Sequence, residues 1–181
     1  MDQEKRKTEE DSGRTKGRDI RIRNDWRPGD LGEIVRLHGI LYHREQGFDT
    51  TFEPYVAEPL ARAVLHPSER QRFWIVEENG TMRGCIAVVE ESAERAALRW
   101  FLLHPEVRAL GLGRRLLAEA VAFCRASGYR EVFLWTVDDL SLARKLYREQ
   151  GFELEEEHRH PIWGKRLNEQ KYRLLLERPE A

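Results

Sequence analysis

Apolar residues along this chain repeat in two ways, and both meet between Leu98 and Gly128 (LRWFLLHPEVRALGLGRRLLAEAVAFCRASG). Leu98 to Leu103 is a nearly unbroken apolar run, the pattern of a buried strand. It stops at His104-Pro105, because proline cannot donate to a sheet ladder. Past Gly111 and Gly113, residues Leu112, Leu116, Leu117, Ala120, Val121 and Cys124 recur at helical spacing. Arg114, Arg115, Glu119 and Arg125 fall outside that stripe, so the segment predicts an amphipathic helix closed by Gly128.

Upstream, Ile20 to Trp26 alternates as a strand, closed by Pro28-Gly29. Asp30 and Glu33 have the spacing of a capping box at the start of a helix. Its inward face would hold Leu31, Ile34, Val35, His38, Leu41 and Tyr42, and Gly47 would end it. A second helix is expected from Thr50, again with a glutamate three residues on, Glu53. Phe52, Tyr55, Val56, Leu60 and Val64 would face inward, and Pro59 should kink or shorten it. Arg72–Glu77 and Arg83–Glu90 predict a hairpin around Glu78-Asn79-Gly80, followed by a turn into Ala96–Leu103. Downstream, Glu131–Val137 reads as a buried strand and Leu140–Gln150 as a helix stopped by Gly151. Phe152–Glu157 and Tyr172–Leu176 read as the last strands, with a loop-like stretch from His158 to Gly164 between them. A meander of strands followed by a strand–helix–strand crossover is a mixed α/β layout.

Composition changes this picture little. The 181 residues suffice for one full core, and residues 1 to about 18 are almost wholly polar. That tail is expected to be disordered, leaving a single domain over residues 19–181. Thirty-one basic against 32 acidic residues give no global field that would attract nucleic acid or an anionic membrane. No apolar run is long enough to cross a bilayer, and the charged start does not resemble a secretory signal. Cys85 and Cys124 fall on apolar faces, which favours buried thiols in a reducing cytoplasm over a disulfide or a metal pair.

The strand–glycine loop–helix unit carries the candidate chemistry. The first amides of a helix have no partner within it, and the dipole concentrates positive charge there, so a glycine loop entering a helix suits a phosphate. Arg108, Arg114 and Arg115 add cations close by. There is no GxxxxGK[ST], and Gly111-Leu112-Gly113 lacks the third glycine of a dinucleotide fingerprint.

Arg108-Ala109-Leu110-Gly111-Leu112-Gly113 resembles the R/Q-x-x-G-x-G/A signature of the GCN5-related N-acetyltransferases (GNAT). Ala143 to Phe152 (ARKLYREQGF) resembles the family's A-x-x-L-Y-x-x-x-G-F. Both motifs occur in order with a strand between them, and the resemblance covers roughly Asp19 to Leu176. It is nearest to the acetyltransferase halves of bacterial proteins fused to a MarR-type regulator, on the strength of His38–Ala57, Trp163-Gly164 and Glu169-Gln170. The polar tail is too short for a winged helix, so the regulator half is expected to be absent. The resemblance implies a largely antiparallel mixed sheet of about seven strands flanked by about four helices, splayed between strands four and five. It also implies acetyl-CoA as co-substrate, with its pyrophosphate on residues Arg108, Ala109, Leu110, Gly111, Leu112, Gly113 and Arg114. The acceptor would be a primary amine of a small molecule or peptide, attacking directly. Neither motif contains a cysteine for a covalent intermediate.

Acyl transfer to an amine needs a base for the amine, a donor for the oxyanion and a donor for the departing thiolate. By resemblance, the oxyanion donor is a main-chain amide of Phe101, Leu102 or Leu103, and Tyr147 lies near the coenzyme sulfur as the acid. Where the family often has an asparagine touching the coenzyme, this chain has Leu140. Ala96–Leu103 holds no carboxylate, so Glu45 at the end of the first helix is the preferred base, with His158 and His160 as alternatives. Those two histidines lack further ligands nearby, and no metal is expected. Tyr42, Phe52, Tyr55 and Trp163 are candidates for the acceptor pocket. A non-catalytic acyl-CoA sensor is the competing reading, and a homodimer is left open.

Overall fold

The computed structural model describes residues 18–176, so the expected disordered tail lies outside the described residues but for Arg18. Seven strands form one sheet in the order β1-β2-β3-β4-β5-β7-β6. They are β1 (Ile20–Arg23), β2 (Arg72–Glu78), β3 (Thr81–Glu90), β4 (Arg95–Leu103), β5 (Glu131–Val137), β6 (Glu153–Ile162) and β7 (Lys165–Leu175). All neighbours are antiparallel except β4 and β5. Helices α1 (Asp30–Gln46) and α2 (Phe52–Leu65) cover one face, while α3 (Leu112–Ala126) and α4 (Ser141–Glu149) cover the other.

The α3 stripe is buried as its spacing predicts: Leu116, Leu117, Ala120, Val121 and Cys124 are all fully enclosed against the sheet. On the other face, Ile34, Leu37, Leu41, Phe52, Val56 and Leu60 of α1 and α2 pack on Ile75, Cys85, Ala87 and Leu102.

Several local expectations are corrected. Strand β1 ends at Arg23, three residues early, where its pairing with β2 stops at Arg23↔Ile75 and the Arg23 side chain reaches Asp30 at the start of α1. Asp30 does not cap through a capping box. Gly29 is the cap residue, and the Asp30 carboxylate receives Arg23 in a bidentate pair and the amide of Arg27. Glu33 bonds to Arg36 instead. Helix α2 begins at Phe52, with the Asp49 carboxylate receiving the amide and hydroxyl of Thr51. It also continues past Pro59. The carbonyl that loses its donor there belongs to Tyr55, on the exposed side where water can serve it, while Leu60 and Ala63 beyond it gain full burial.

The stretch from His158 to Gly164 is not a loop. β6 and β7 form a long hairpin turning at Trp163-Gly164, both with positive φ (50° and 77°). β6 is an edge strand exposed on both sides, so it lacks apolar alternation. Cross-strand pairs such as Lys171–Glu156 and His160–Glu169 hold it.

Two distortions of β4 shape the site. Trp100 has φ of 50°, and the register against β3 slips between Cys85 and Ala87, so the strand bulges there. Pairing of β4 with β5 covers only Arg95↔Glu131, Ala96↔Val132 and Ala97↔Phe133. From Leu98 onward the strands part, as expected of the splay.

Candidate active site

The parting of β4 and β5 opens into two cavities. The larger, about 600 Å³, runs along the end of β4, the loop from Arg108 to Gly113, the start of α3 and the inner side of α4, with the end of α1 as its other wall. The smaller, about 120 Å³, lies between the two strands and is capped by aromatic residues of α1, α2 and the β6–β7 turn. Tyr42, Phe101, Leu140 and Ala143 line both, so they meet.

The larger cleft has the features of an anion site at its loop end. Gly111 caps α3 with φ of 76°, a conformation that favours glycine. The amide of Arg115 is bonded to the Gly111 carbonyl, which leaves the amides of Leu112, Gly113 and Arg114 ahead of it without a helical acceptor. No acidic residue sits in the first turn of α3. Arg108 is tied inward, donating to the Leu103 carbonyl (2.8 Å) and to Glu45 (2.9 Å), while Arg114 reaches Glu149 (2.9 Å). These pairs fasten the loop to the end of β4, to α1 and to α4, so the phosphate-facing groups are chiefly main-chain amides. The residues therefore fit a coenzyme diphosphate.

Most of the residues expected at the coenzyme line this cleft: Phe101, Leu102, Leu103, Arg108, Ala109, Gly111, Gly113 and Arg114. Leu110 instead points to solvent, 49% exposed, and the Leu112 side chain packs into the core beneath α3. Ala109 holds φ of 63°, a left-handed turn that its sequence position did not announce. Glu45 lies in the larger cleft beside Arg108 and does not line the smaller cavity.

Tyr147 lines the smaller cavity from α4, 5% exposed, among Phe101, Phe152 and Tyr172. Burial pushes its hydroxyl pKa far up, with the Tyr42 hydroxyl adding to the effect. Burial likewise pushes Tyr42 up to about 12. Both keep their protons and remain available as donors. Tyr42, Phe52, Tyr55 and Trp163 all line this cavity. Phe52 and Tyr55 each stand 4.8 Å from the Trp163 ring, centre to centre, in edge-on contact.

Sequence reasoning missed two charged groups here. Arg99 lies half-buried on β4, just before the bulge, and Glu169 lies on β7 with its side chain 15% exposed. The signal was there in weak form: a lone arginine interrupts the apolar run Leu98–Leu103, where a buried strand would not place one. Glu169 is bonded to His160 Nε2 at 2.5 Å, which joins one of the two candidate histidines to the cavity wall; His158 instead stacks on Trp135.

The acetyltransferase (GNAT) family model matches residues 38–152, which span the loop, the larger cleft and the Tyr147 helix. The chain belongs to the GNAT acetyltransferase family. An uncharacterized N-acetyltransferase of Schizosaccharomyces pombe is 31% identical over 136 residues, 74% of this chain and 82% of that protein. An acetyltransferase from Streptococcus agalactiae shares the fold with a TM-score of 0.70 at 24% identity, over 87% of this chain and 98% of that one. A GNAT family acetyltransferase from Elizabethkingia anophelis, solved with acetyl-CoA bound, superposes with a TM-score of 0.60 at 16% identity, over 87% and 98% of the two chains. Acetyl-CoA is the co-substrate of this family, and this GNAT chain is an acetyl-CoA-dependent N-acetyltransferase.

Proposed function

We propose that this GNAT enzyme acetylates a primary amine seated in the smaller cavity by direct attack. The observation that carries this is the junction of the two cavities at the parting of β4 and β5, with Phe101 on the walls of both and Tyr147 on the wall of the smaller. Acetyl-CoA supplies a thioester whose acetyl carbon bonds to the acceptor nitrogen as the carbon–sulfur bond breaks.

Main-chain direction selects the oxyanion donor. The amide of His104 bonds back to Arg83 on β3 (2.7 Å), and the Leu102 carbonyl also turns toward β3, against Gly84. Alternation along the strand then turns Leu103 and Phe101 toward the opening and Leu102 away. The Leu103 carbonyl already receives Arg108, and of these three residues Phe101 alone lines both cavities. The Phe101 N–H is the donor that faces the carbonyl oxygen as it gains charge. Tyr147 holds its proton for the sulfur that departs as thiolate. The amine's proton leaves through Glu169 and the partly exposed His160, which favours this pair over Glu45 as the base; Glu45 fixes Arg108 and the loop.

The nearer likeness to MarR-fused acetyltransferases rests on His38–Ala57, Trp163-Gly164 and Glu169-Gln170, of which His38, Tyr42, Phe52, Tyr55, Trp163 and Glu169 line the proposed acceptor cavity. The cytoplasm is the proposed setting, because Cys85 and Cys124 are free and buried. No helix among the described residues is long and apolar enough to cross a membrane.

Thiol release from acetyl-CoA with a panel of amines, together with calorimetry of CoA binding, tests the reading. Turnover with at least one amine is expected. CoA binding without turnover across the panel would favour a sensor and end the enzyme proposal.

A further inference from the structure

The acceptor cavity is apolar over most of its wall, yet it holds one group of each charge. Arg99 is half-buried at that wall, and among the described residues it has no carboxylate partner and no side-chain hydrogen bond. Other basic residues on the same face of the sheet are matched: Arg95 to Glu131, Lys171 to Glu155 and Glu156, Arg173 to Glu155. Across the cavity stands Glu169 with His160 behind it. Tyr55 lies within the electrostatic reach of both: burial pushes its hydroxyl pKa up, the Arg99 guanidinium pulls it back, and the Glu169 carboxylate adds to burial.

An unpartnered guanidinium in a site for amines needs an explanation. A plain amine enters as an ammonium ion and would face a like charge in a confined, poorly hydrated space, which is unfavourable. A peptide lysine would meet the same repulsion. An acceptor that carries its own anion close to the amine removes the conflict, because the guanidinium fork receives a planar carboxylate in two parallel bonds. We propose that the acceptor is an α-amino acid bound as its zwitterion, with its carboxylate on Arg99, its ammonium at Glu169 and its side chain against Tyr55, Phe52 and Trp163. This rests on the acetyltransferase reading above and narrows its substrate class. Arg99 comes two residues before Phe101 along β4, so the carboxylate contact sets the nitrogen beside the main-chain donor.

The test compares three acceptors with one side chain: leucine, leucinamide and isopentylamine, with thiol release from acetyl-CoA read as kcat/KM. Leucine should exceed the amide and the amine by about tenfold or more, the scale of a charge-assisted pair lost on a buried partner. Arg99→Gln should remove most of leucine's advantage, lowering kcat/KM for leucine and raising it for isopentylamine, whose ammonium no longer faces a like charge. Arg99→Lys, which keeps the charge and loses the fork, should fall between. Phenylalanine with its amide and phenethylamine repeats the comparison for an aromatic body. Equal kcat/KM for the acid and the amine, or an Arg99→Gln variant that slows all three alike with unaltered CoA binding, overturns the proposal while the transferase reading stands. CoA binding with no turnover of any acceptor overturns both.

Discussion

Tyr147 keeps its proton because the side chains around it exclude water, and that fixes what it can contribute. In the proposed reaction it donates to the departing sulfur over the whole working range of pH and does not serve as a base. Tyr147→Phe removes one hydroxyl from a packed site and leaves the ring contacts with Phe101, Phe152 and Tyr172 in place. It should lower kcat by about ten- to a thousandfold, the range of a lost acid or donor, with CoA affinity changed less than threefold. Unchanged turnover in single-turnover thiol release would remove the acid role. Gly111 makes the opposite case. Any side chain there must adopt a left-handed backbone, and an aspartate adds negative charge at the amides meant for a phosphate. Gly111→Asp should weaken CoA binding at least a hundredfold by calorimetry while the protein stays folded, because a Cβ there meets nothing within 4 Å. Near-wild-type affinity would move the diphosphate off this loop. Both residues were legible in the sequence because a motif with chemical spacing marks them. Arg99 and Glu169 were not, because single charged residues on strands carry no periodic signal and meet only once the sheet forms.

Among the elements, α1 shows how a site-bearing helix is held in place. Its first residue, Asp30, is 5% exposed and receives both ends of the Arg23 guanidinium, whose Nε reaches Glu77 on β2. One arginine thus ties β1, β2 and the start of α1, and these ionic contacts push the Arg23 pKa well up. Removing one member of a buried pair strands its partner, so Asp30→Ala should cost about 3–5 kcal/mol by urea unfolding. The double variant Arg23→Met with Asp30→Leu should recover most of it, since an apolar pair can replace a buried ionic one. A loss below about 1 kcal/mol would mean that water enters the pair. The spacing Asp30–Glu33 suggested a cap because the local pattern is the same whether the aspartate serves its own helix or an arginine on a neighbouring strand. The β6–β7 hairpin escaped notice for a related reason. Its cross-strand charge pairs do the work that alternating apolar residues do elsewhere, and only the tertiary register reveals them.

Across the whole molecule, two cores on opposite faces of one sheet meet at the place where β4 and β5 separate, and the smaller cavity, proposed to take the acceptor, lies in the α1–α2 core. The element order and α3 were readable because burial on one face imposes period and length. The bulge at Trp100 was not, because it depends on the pairing with β3. A cavity placed in a core also explains His38, a sequence-predicted inward residue. It is 3% exposed, its Nδ1 lies 2.8 Å from the Ile34 carbonyl, and burial pushes its pKa down to about 4. It lines the cavity as a neutral ring and adds no second cation beside Arg99. That neutrality has a consequence for stability. The folded-state pKa lies below the unfolded value near 6.5, so the unfolded chain binds a proton first as pH falls. The contribution of a neutral His38 is therefore complete above pH 6.5 and is lost as pH drops toward 4. At about 1.4 kcal/mol per unit, the loss reaches about 2 kcal/mol by pH 5. Carboxylates such as Glu33 and Glu156, held below their usual range by Arg36 and Lys171, also lose their pairing in acid, so the measurement is a difference. Urea unfolding of the wild type and His38→Asn, which keeps a donor for Ile34 and cannot titrate, isolates the histidine. The variant starts lower through lost packing, and the gap between the two should close by about 2 kcal/mol from pH 7 to pH 5. A gap that stays constant would mean that the ring takes up its proton as readily folded as unfolded, and the acceptor cavity would then carry two cations rather than one.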